Sequence, residues 1–156
     1  MSRRGSGSLS ILFELFATGQ RTRQLLTEAL ADSEINAVEY AVYSLVNELG
    51  AASPTELAGR LAFPVTTMLD HIRDMLARGH CIKSPNPVDG RSYLVRLSAE
   101  GHHVFRRTGA DFERAISRIL ANLNSDPELL REMLRELGLA ADAALADLRL
   151  GARRAN

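Results

Sequence analysis

A chain of 156 residues with 46% hydrophobic side chains carries enough apolar material for one packed core, which excludes a disordered chain and leaves one domain or two closely joined lobes. Lys and Arg total 19 and Asp and Glu total 19, so the formal net charge is zero and no global field draws the chain to nucleic acid or an anionic membrane. No apolar run approaches the roughly 20 residues that cross a bilayer, and Cys81 is the single cysteine, so the expectation is a cytoplasmic protein with no membrane partner, no internal disulfide and no cysteine-based zinc site.

The chain opens on "MSRRGSGSLS", basic and rich in Gly and Ser, which reads as a flexible tail over residues 1–8 rather than a cleavable signal. Ile11, Leu12, Leu15, Phe16, Gly19, Leu26 and Leu30 recur at helical spacing and predict a long first helix. In "INAVEYAVYSLVNELGA", Asn36 and Glu39 suit a capping box, Val38, Val42, Leu45, Val46 and Leu49 mark one face, and Gly50 suits the C-terminal end, giving a second helix over 37–49. "SPTELAGRL" starts a third: Ser53 caps, Pro54 takes the first helical position and Glu56 reaches back to the cap amide. The residue before a proline avoids the helical region, so Phe63 ends a tight turn and a fourth helix runs from Pro64 or Val65 to Gly79.

On the fourth helix Val65, Met68, Leu69, Ile72, Met75 and Leu76 fall on one arc of roughly 120°, while Thr66, Thr67, Asp70, Arg73, Asp74 and Arg78 face the other way with His71 at the margin. Two short helices joined by a turn of about three residues form a helix-turn-helix pattern. Extended segments near 80–84 and 92–97 flank a Pro-, Gly- and Asp-rich connection, too long for a minimal hairpin turn, so the loop projects. Ser98 caps a helix carrying Val104, Phe105, Thr108, Phe112, Ile116, Ile119, Leu120 and Leu123, and "SDPE" at 125–128 opens a last one carrying Leu130, Met133, Leu134, Leu137, Ala141, Ala144, Leu145 and Leu148. At about 1.5 Å per residue each exceeds roughly 30 Å, more than so small a core needs. Together with the first helix they are expected to embrace a second copy in a two-fold homodimer. Gly138, inside the last pattern, costs about 1 kcal/mol against Ala and points to a close helix approach or a bend.

This order of elements resembles the MarR family of winged helix-turn-helix transcriptional regulators over nearly the whole chain. The specific part is "LARGHCIKSPNPVDGRSYLVRLSAEG": Asp89-Gly90-Arg91 matches the family's wing signature of Asp, any residue, Arg, and Leu97-Ser98-Ala99-Glu100-Gly101 matches the Leu-Thr-x-x-Gly that follows it. The resemblance implies a mainly α fold with a small β-hairpin wing. It divides the chain into a winged helix-turn-helix DNA-binding lobe over 36–98, a long-helix dimerisation lobe over 9–35 and 99–150, and a C-terminal tail over 151–156. It also implies a homodimer on a pseudo-palindromic double-stranded DNA operator, acting as a repressor relieved by a small-molecule ligand, with no cofactor.

The implied DNA-binding set is Arg91 as wing contact, Asp89 as its support, and Thr66, Thr67, Asp70 and Arg73 on the groove-reading face. Chemistry agrees with these roles. A guanidinium on a projecting loop suits the negative potential of a narrow A/T-rich minor groove, and a carboxylate two residues earlier can hold that Arg by a charge-assisted bond. Backbone amides at the helix start around Ser53 and Thr55 can hold a phosphate. The implied pocket for an aromatic or lipophilic ligand draws on Phe13, Phe16, Tyr40 and Tyr43 with Arg21 or Arg23, although aromatics at helical spacing equally form plain core.

The fourth helix departs from the family in its acidity. Over residues 51–101, Arg60, Arg73, Arg78, Lys83, Arg91 and Arg96 stand against Glu56, Asp70, Asp74, Asp89 and Glu100, a net of one positive charge. That balance predicts weak nonspecific DNA binding that fails as salt rises, with Asp70 able to accept from cytosine N4. Two other readings stay open: a winged-helix ligand-binding or protein-interaction module without DNA binding, and a thiol redox sensor at Cys81. His102 and His103 point about 100° apart on a helix and with Glu100 make no convincing metal site. The chain has no phosphate loop, nucleophile elbow or HExxH, so no enzyme is expected.

Overall fold

The computed structural model describes the backbone over residues 4–154 and the side chains over 11–151. The elements run α1 (Arg4–Ala29), α2 (Ala37–Leu49), α3 (Pro54–Arg60), α4 (Val65–Ala77), β1 (Cys81–Pro85), β2 (Tyr93–Leu97), α5 (Ala99–Ala121) and α6 (Pro127–Arg154). Helix α1 begins inside the segment expected to be a tail, and α6 runs through most of the expected C-terminal tail. What remains of those two expectations, residues 1–3 and 155–156, lies outside the described residues. The chain divides into two compact units, Met1–Ala115 and Ile116–Asn156.

Short polar side chains start α2 and α3, whereas α4 opens after Pro64 with no side-chain cap. Asn36 Oδ1 accepts from the amides of Val38 and Glu39 at 2.9 and 3.0 Å, and the Glu39 carboxylate accepts from the Asn36 amide at 2.9 Å, completing the expected capping box of α2. Ser53 Oγ accepts from the Glu56 amide at 3.2 Å and Pro54 occupies the first position of α3. Glu56 does not reach back to the cap; its carboxylate turns forward to Arg60 at 3.4 Å, where a cation one turn on outcompetes a neutral amide.

Helices α3 and α4 end in the same way. After α3 the Phe63 amide donates to Ala58 O at 2.9 Å and the Ala62 amide to Gly59 O at 3.3 Å; after α4 the His80 amide donates to Met75 O at 2.8 Å and the Gly79 amide to Leu76 O at 3.0 Å. Each is a Schellman closure whose pivotal residue needs a left-handed backbone. Gly79 supplies it at φ 70°, whereas at the first closure an alanine, Ala62, is held at φ 55°. This closure makes the tight turn that sets α4 against α3.

The core lies between α2, α3, α4, the hairpin and the start of α5, and includes Tyr43, Val46, Leu57, Met68, Ile72 and Val95, all essentially inaccessible. Met68, Ile72 and Met75 of the α4 arc are buried as expected, but Val65 at the open first turn is exposed, as is Val38 in the first turn of α2. Strands β1 and β2 pair antiparallel with Cys81 opposite Leu97 and Lys83 opposite Val95. Ala52, between α2 and α3, adds a bridge, exchanging backbone hydrogen bonds with Val95 at 3.1 and 2.8 Å. That fastens the root of the hairpin to the helical core.

Ser98 joins hairpin to helix: its Oγ accepts from the Gly101 amide at 3.0 Å and donates to Gly79 O at 2.6 Å, while its amide donates to His80 O at 3.0 Å. Gly101 allows this approach, because a Cβ there would stand 1.9 Å from His80 O. The Leu-Ser-x-x-Gly stretch is thus a backbone junction between the end of α4 and the start of α5. In the second unit Asp126 Oδ1 accepts from the Glu128 amide at 3.0 Å and caps α6. Within the second unit, nothing among the described residues outside the helix's own backbone lies within 4 Å of a Cβ built at Gly138.

Candidate nucleic-acid interface

The outward face of α4 presents Thr66, Asp70, Arg73 and Asp74 to solvent, with Thr67 half-buried. Arg73 donates to Asp70 Oδ1 at 2.7 Å, one turn back on the same helix. Arg78 at the end of α4 pairs with Glu39 of α2 and donates from Nε to Asp74 O at 3.4 Å. The Asp70 carboxylate is therefore paired with Arg73, whereas Asp74 contributes only its backbone carbonyl to Arg78 and its side chain is exposed.

The connection between β1 and β2 is ordered by its own short polar residues. Asn86 Oδ1 accepts from the amides of Val88 and Asp89 at 3.0 and 3.3 Å, and the Ser92 amide donates to Asp89 O at 3.0 Å. Asp89 Oδ1 accepts from the Arg91 amide at 3.0 Å. This corrects the expectation of a carboxylate–guanidinium bond: Asp89 supports Arg91 through its backbone. The exposed Arg91 guanidinium makes no ion pair or hydrogen bond with any described residue. Beside it Val88 is 93% exposed at the tip.

Lys83, to which no role was assigned from sequence, holds its ammonium 4.3 Å from the centre of the Tyr93 ring. With Leu69, Ile72, Arg73, Leu76 and Tyr93 it lines a cleft of about 190 Å³ between α4 and the hairpin. Strand alternation was the signal that could have found it, since Lys83 shares a strand face with buried Cys81. At the start of α3, Ser53 spends its hydroxyl on the helix cap and Thr55 is exposed. The structure thus brings Thr66, Thr67, Asp70, Arg73, Asp89 and Arg91 onto one lobe, built from α4 and the hairpin that follows it.

The four residues expected to line a ligand pocket are not brought together. Phe13 and Phe16 are exposed on α1, while Tyr40 and Tyr43 are buried in the core. Tyr40 stacks on Phe105 at 5.3 Å and Phe112 at 4.6 Å, and the Tyr43 hydroxyl shares a 2.8 Å hydrogen bond with His80 Nδ1. Burial pushes the Tyr43 phenol up to about 12. A different cavity of about 370 Å³ lies where α1 passes into α2, with Leu30, Ser33, Glu34 and Glu39 on its wall. Glu34 contacts His80 Nε2 at 3.3 Å and Arg107 at 3.7 Å.

Cys81 is buried, with its Sγ 4.0 Å from Ile72 O, and burial pushes its thiol up to about 11, against the weaker opposing pull of Lys83. A thiol held protonated and enclosed lacks the exposed thiolate that oxidant sensing requires. The redox reading of Cys81 therefore loses its chemical basis. No group of three or more His, Cys, Asp or Glu among the described residues is placed to hold a metal ion. Among those residues no helix is long and apolar enough to cross a membrane.

A helix-turn-helix followed directly by an antiparallel hairpin, with the hairpin root pinned to the core through Ala52, defines the class of this lobe as a winged helix-turn-helix. No family model matches the chain. An HTH-type transcriptional regulator of Mycobacterium bovis, uncharacterized, is 32% identical over 106 residues, 68% of this chain and 69% of that protein. The multiple antibiotic resistance protein MarR of Salmonella typhimurium is 25% identical over 124 residues, 77% of this chain and 84% of the relative. A mutant MarR from E. coli, solved in complex with operator DNA, superposes with a TM-score of 0.74 at 21% identity, covering 88% of this chain and 99% of that one. The chain belongs to the MarR family of HTH-type transcriptional regulators.

Proposed function

We propose that this regulator acts as a homodimeric repressor on a pseudo-palindromic operator. Two copies of α4 enter successive major grooves about one helical turn, roughly 34 Å, apart, and Arg91 of each wing enters the flanking minor groove. The observation that carries this is the pairing on one lobe of an exposed Thr66–Arg73 face with a loop braced by Asn86 and Asp89 that leaves the Arg91 guanidinium unengaged. Support for a second copy comes from apolar side chains left exposed on the long helices, among them Leu12 and Phe16 on α1 and Met133, Leu134 and Leu148 on α6.

Relief by a small ligand is supported by the cavity at the α1–α2 connection. Two carboxylates on its wall, Glu34 and Glu39, hold His80 and Arg78 at the end of α4, so a guest that rearranges either one shifts the population of α4 orientations. A footprinting or mobility-shift assay on the DNA upstream of the protein's own gene, at low salt, tests the reading. A protected, dyad-symmetric site is expected, and no specific complex at any salt would overturn it.

The pairing of Arg60, Arg73 and Arg78 with carboxylates of the same chain favours a second reading, a winged-helix ligand-binding or protein-interaction module without DNA binding. The same assay separates the two.

A further inference from the structure

His80 is the residue at which the end of α4 meets the rest of the first unit. Its amide donates to Met75 O at 2.8 Å and closes α4, and its carbonyl accepts from the Ser98 amide at 3.0 Å. Its side chain is buried and engaged at both ring nitrogens: Nδ1 lies 2.8 Å from the Tyr43 hydroxyl on α2, and Nε2 lies 3.3 Å from Glu34 Oε1 in the turn between α1 and α2. Two further contacts seat that turn on α5. Ser33 Oγ donates to Asp111 Oδ2 at 2.9 Å, and Glu34 Oε2 pairs at 3.7 Å with Arg107, one helical turn earlier. The Glu34 carboxylate thus touches both α5 and the end of α4. The Glu39–Arg78 pair also holds the end of α4, but it reaches only α2.

These bonds fix the imidazole proton. The Tyr43 phenol, fully buried and pushed up to about 12, keeps its hydrogen, and His80 is its hydrogen-bond partner among the described residues. A buried hydroxyl hydrogen with no acceptor is costly, so Tyr43 donates to a bare Nδ1. The ring hydrogen is then on Nε2, where it donates to the Glu34 carboxylate. Moving that hydrogen to Nδ1 would set donor against donor at Tyr43 and a bare nitrogen against a carboxylate at Glu34.

Resting on the DNA-binding reading above, we propose that His80 is a positioning residue for operator binding, and that Glu34 carries the placement of α5 to the end of α4 through the Nε2–H bond. Ser33 and Arg107 set where Glu34 stands, Glu34 sets the imidazole, and Tyr43 holds the ring to that one tautomer. The last turn of α4, which His80 closes, is then fixed from α5 as well as from α2.

Two measurements on the full-length protein test this. Imidazole nitrogen NMR at pH 7.5, with the His80 signals assigned by their loss in His80→Gln, is expected to show a protonated Nε2 and a bare Nδ1. A protonated Nδ1 overturns the inference without any DNA. Arg107→Ala changes an exposed side chain that makes no bond to His80, yet it is expected to move the His80 Nε2 resonance through Glu34; an unmoved resonance overturns the inference even where buried variants fail to fold. Fluorescence anisotropy on the footprinted operator then reads the effect on binding. Arg107→Ala should weaken it about threefold, the scale of an exposed ion pair, and His80→Leu about tenfold, since Tyr43 and Glu34 both lose a partner. In the His80→Leu background Arg107→Ala should add nothing, because losses along one shared path do not sum. His80→Gln, whose amide both donates and accepts, should stay within about threefold of wild type. Equal effects of Arg107→Ala in the two backgrounds overturn the inference, as does a His80→Gln as weak as His80→Leu, with melting curves confirming that each variant is folded. Wild-type protein that forms no operator complex at any salt overturns the DNA-binding reading and this inference with it, whereas a wrong tautomer or additive losses overturn this inference alone.

Discussion

The Asp89 carboxylate bonds the backbone amide of Arg91, not its guanidinium, at 3.0 Å. An asparagine can make the same bond through its carbonyl oxygen, while an alanine cannot. Asp89→Asn is therefore expected to keep operator affinity within about threefold of wild type, and Asp89→Ala to lose roughly 2- to 10-fold, the worth of one neutral hydrogen bond that shapes a loop. Were the carboxylate instead an ionic clamp on the side chain, Asn and Ala would be equally damaging in an anisotropy titration.

Gly101 sits where a Cβ would meet His80 O at 1.9 Å, and the neighbour is backbone that cannot swing aside. Gly101→Ala should lower stability by about 3 kcal/mol, at the upper end of overpacking effects. Gly109 offers the control: its Cβ would meet the Tyr40 hydroxyl at 3.2 Å, the free end of a side chain, so Gly109→Ala should be near neutral once helix propensity is counted. Urea denaturation of the two variants reads the difference. Equal losses would mean that the α4–α5 junction yields more than its hydrogen bonds suggest.

What was legible in sequence was what is local. The Asn36–Glu39 box, the Ser53 cap, the break before Pro64 and the hairpin around Asp89-Gly90-Arg91 each depend on residues within a few positions of one another. The misses are mostly pairings across the chain. Ala52 meets Val95 through a single bridge that leaves no periodic trace, and Glu39–Arg78 and Glu34–His80 join residues about 40 positions apart that nothing in composition links. Asp70 and Arg73 were within reach at three residues' spacing, yet read as two separate groove contacts rather than one neutral pair. Tyr40 and Tyr43 lie on the face of α2 that packs into the core, where helical spacing serves core and pocket alike.

Ala62 and Gly79 occupy equivalent positions in two Schellman closures, at φ 55° and 70°. A left-handed backbone costs an L-residue roughly 1–2 kcal/mol, partly offset because glycine loses more freedom on folding. Ala62→Gly is therefore expected to stabilise the lobe by about 0.5–1 kcal/mol, and Gly79→Ala to destabilise it by about the same amount. Thermal melts of both variants test the pair. A destabilised Ala62→Gly would show that the α3–α4 turn draws more from its methyl group than it loses to strain.

Cys81 provides a pH test with a defined sign. Burial raises its thiol from 9.0 to about 11, so the folded state retains a proton that the unfolded chain releases between those values. Its contribution is fully present below pH 9 and is lost as pH climbs towards 11, because stability falls wherever the native state binds more protons than the unfolded one. Tyr43, raised from 10.0 to about 12, extends the same trend upward. Wild-type protein should lose on the order of 2 kcal/mol between pH 9 and 11 through Cys81, while Cys81→Ala, less stable at neutral pH, should show a flatter curve over that window. Denaturant midpoints at pH 8, 9, 10 and 11 give the comparison. Thiol labelling of the folded protein at pH 7.5 should match the rate of global unfolding, and fast labelling with parallel pH curves would mean that Cys81 is reached by solvent after all.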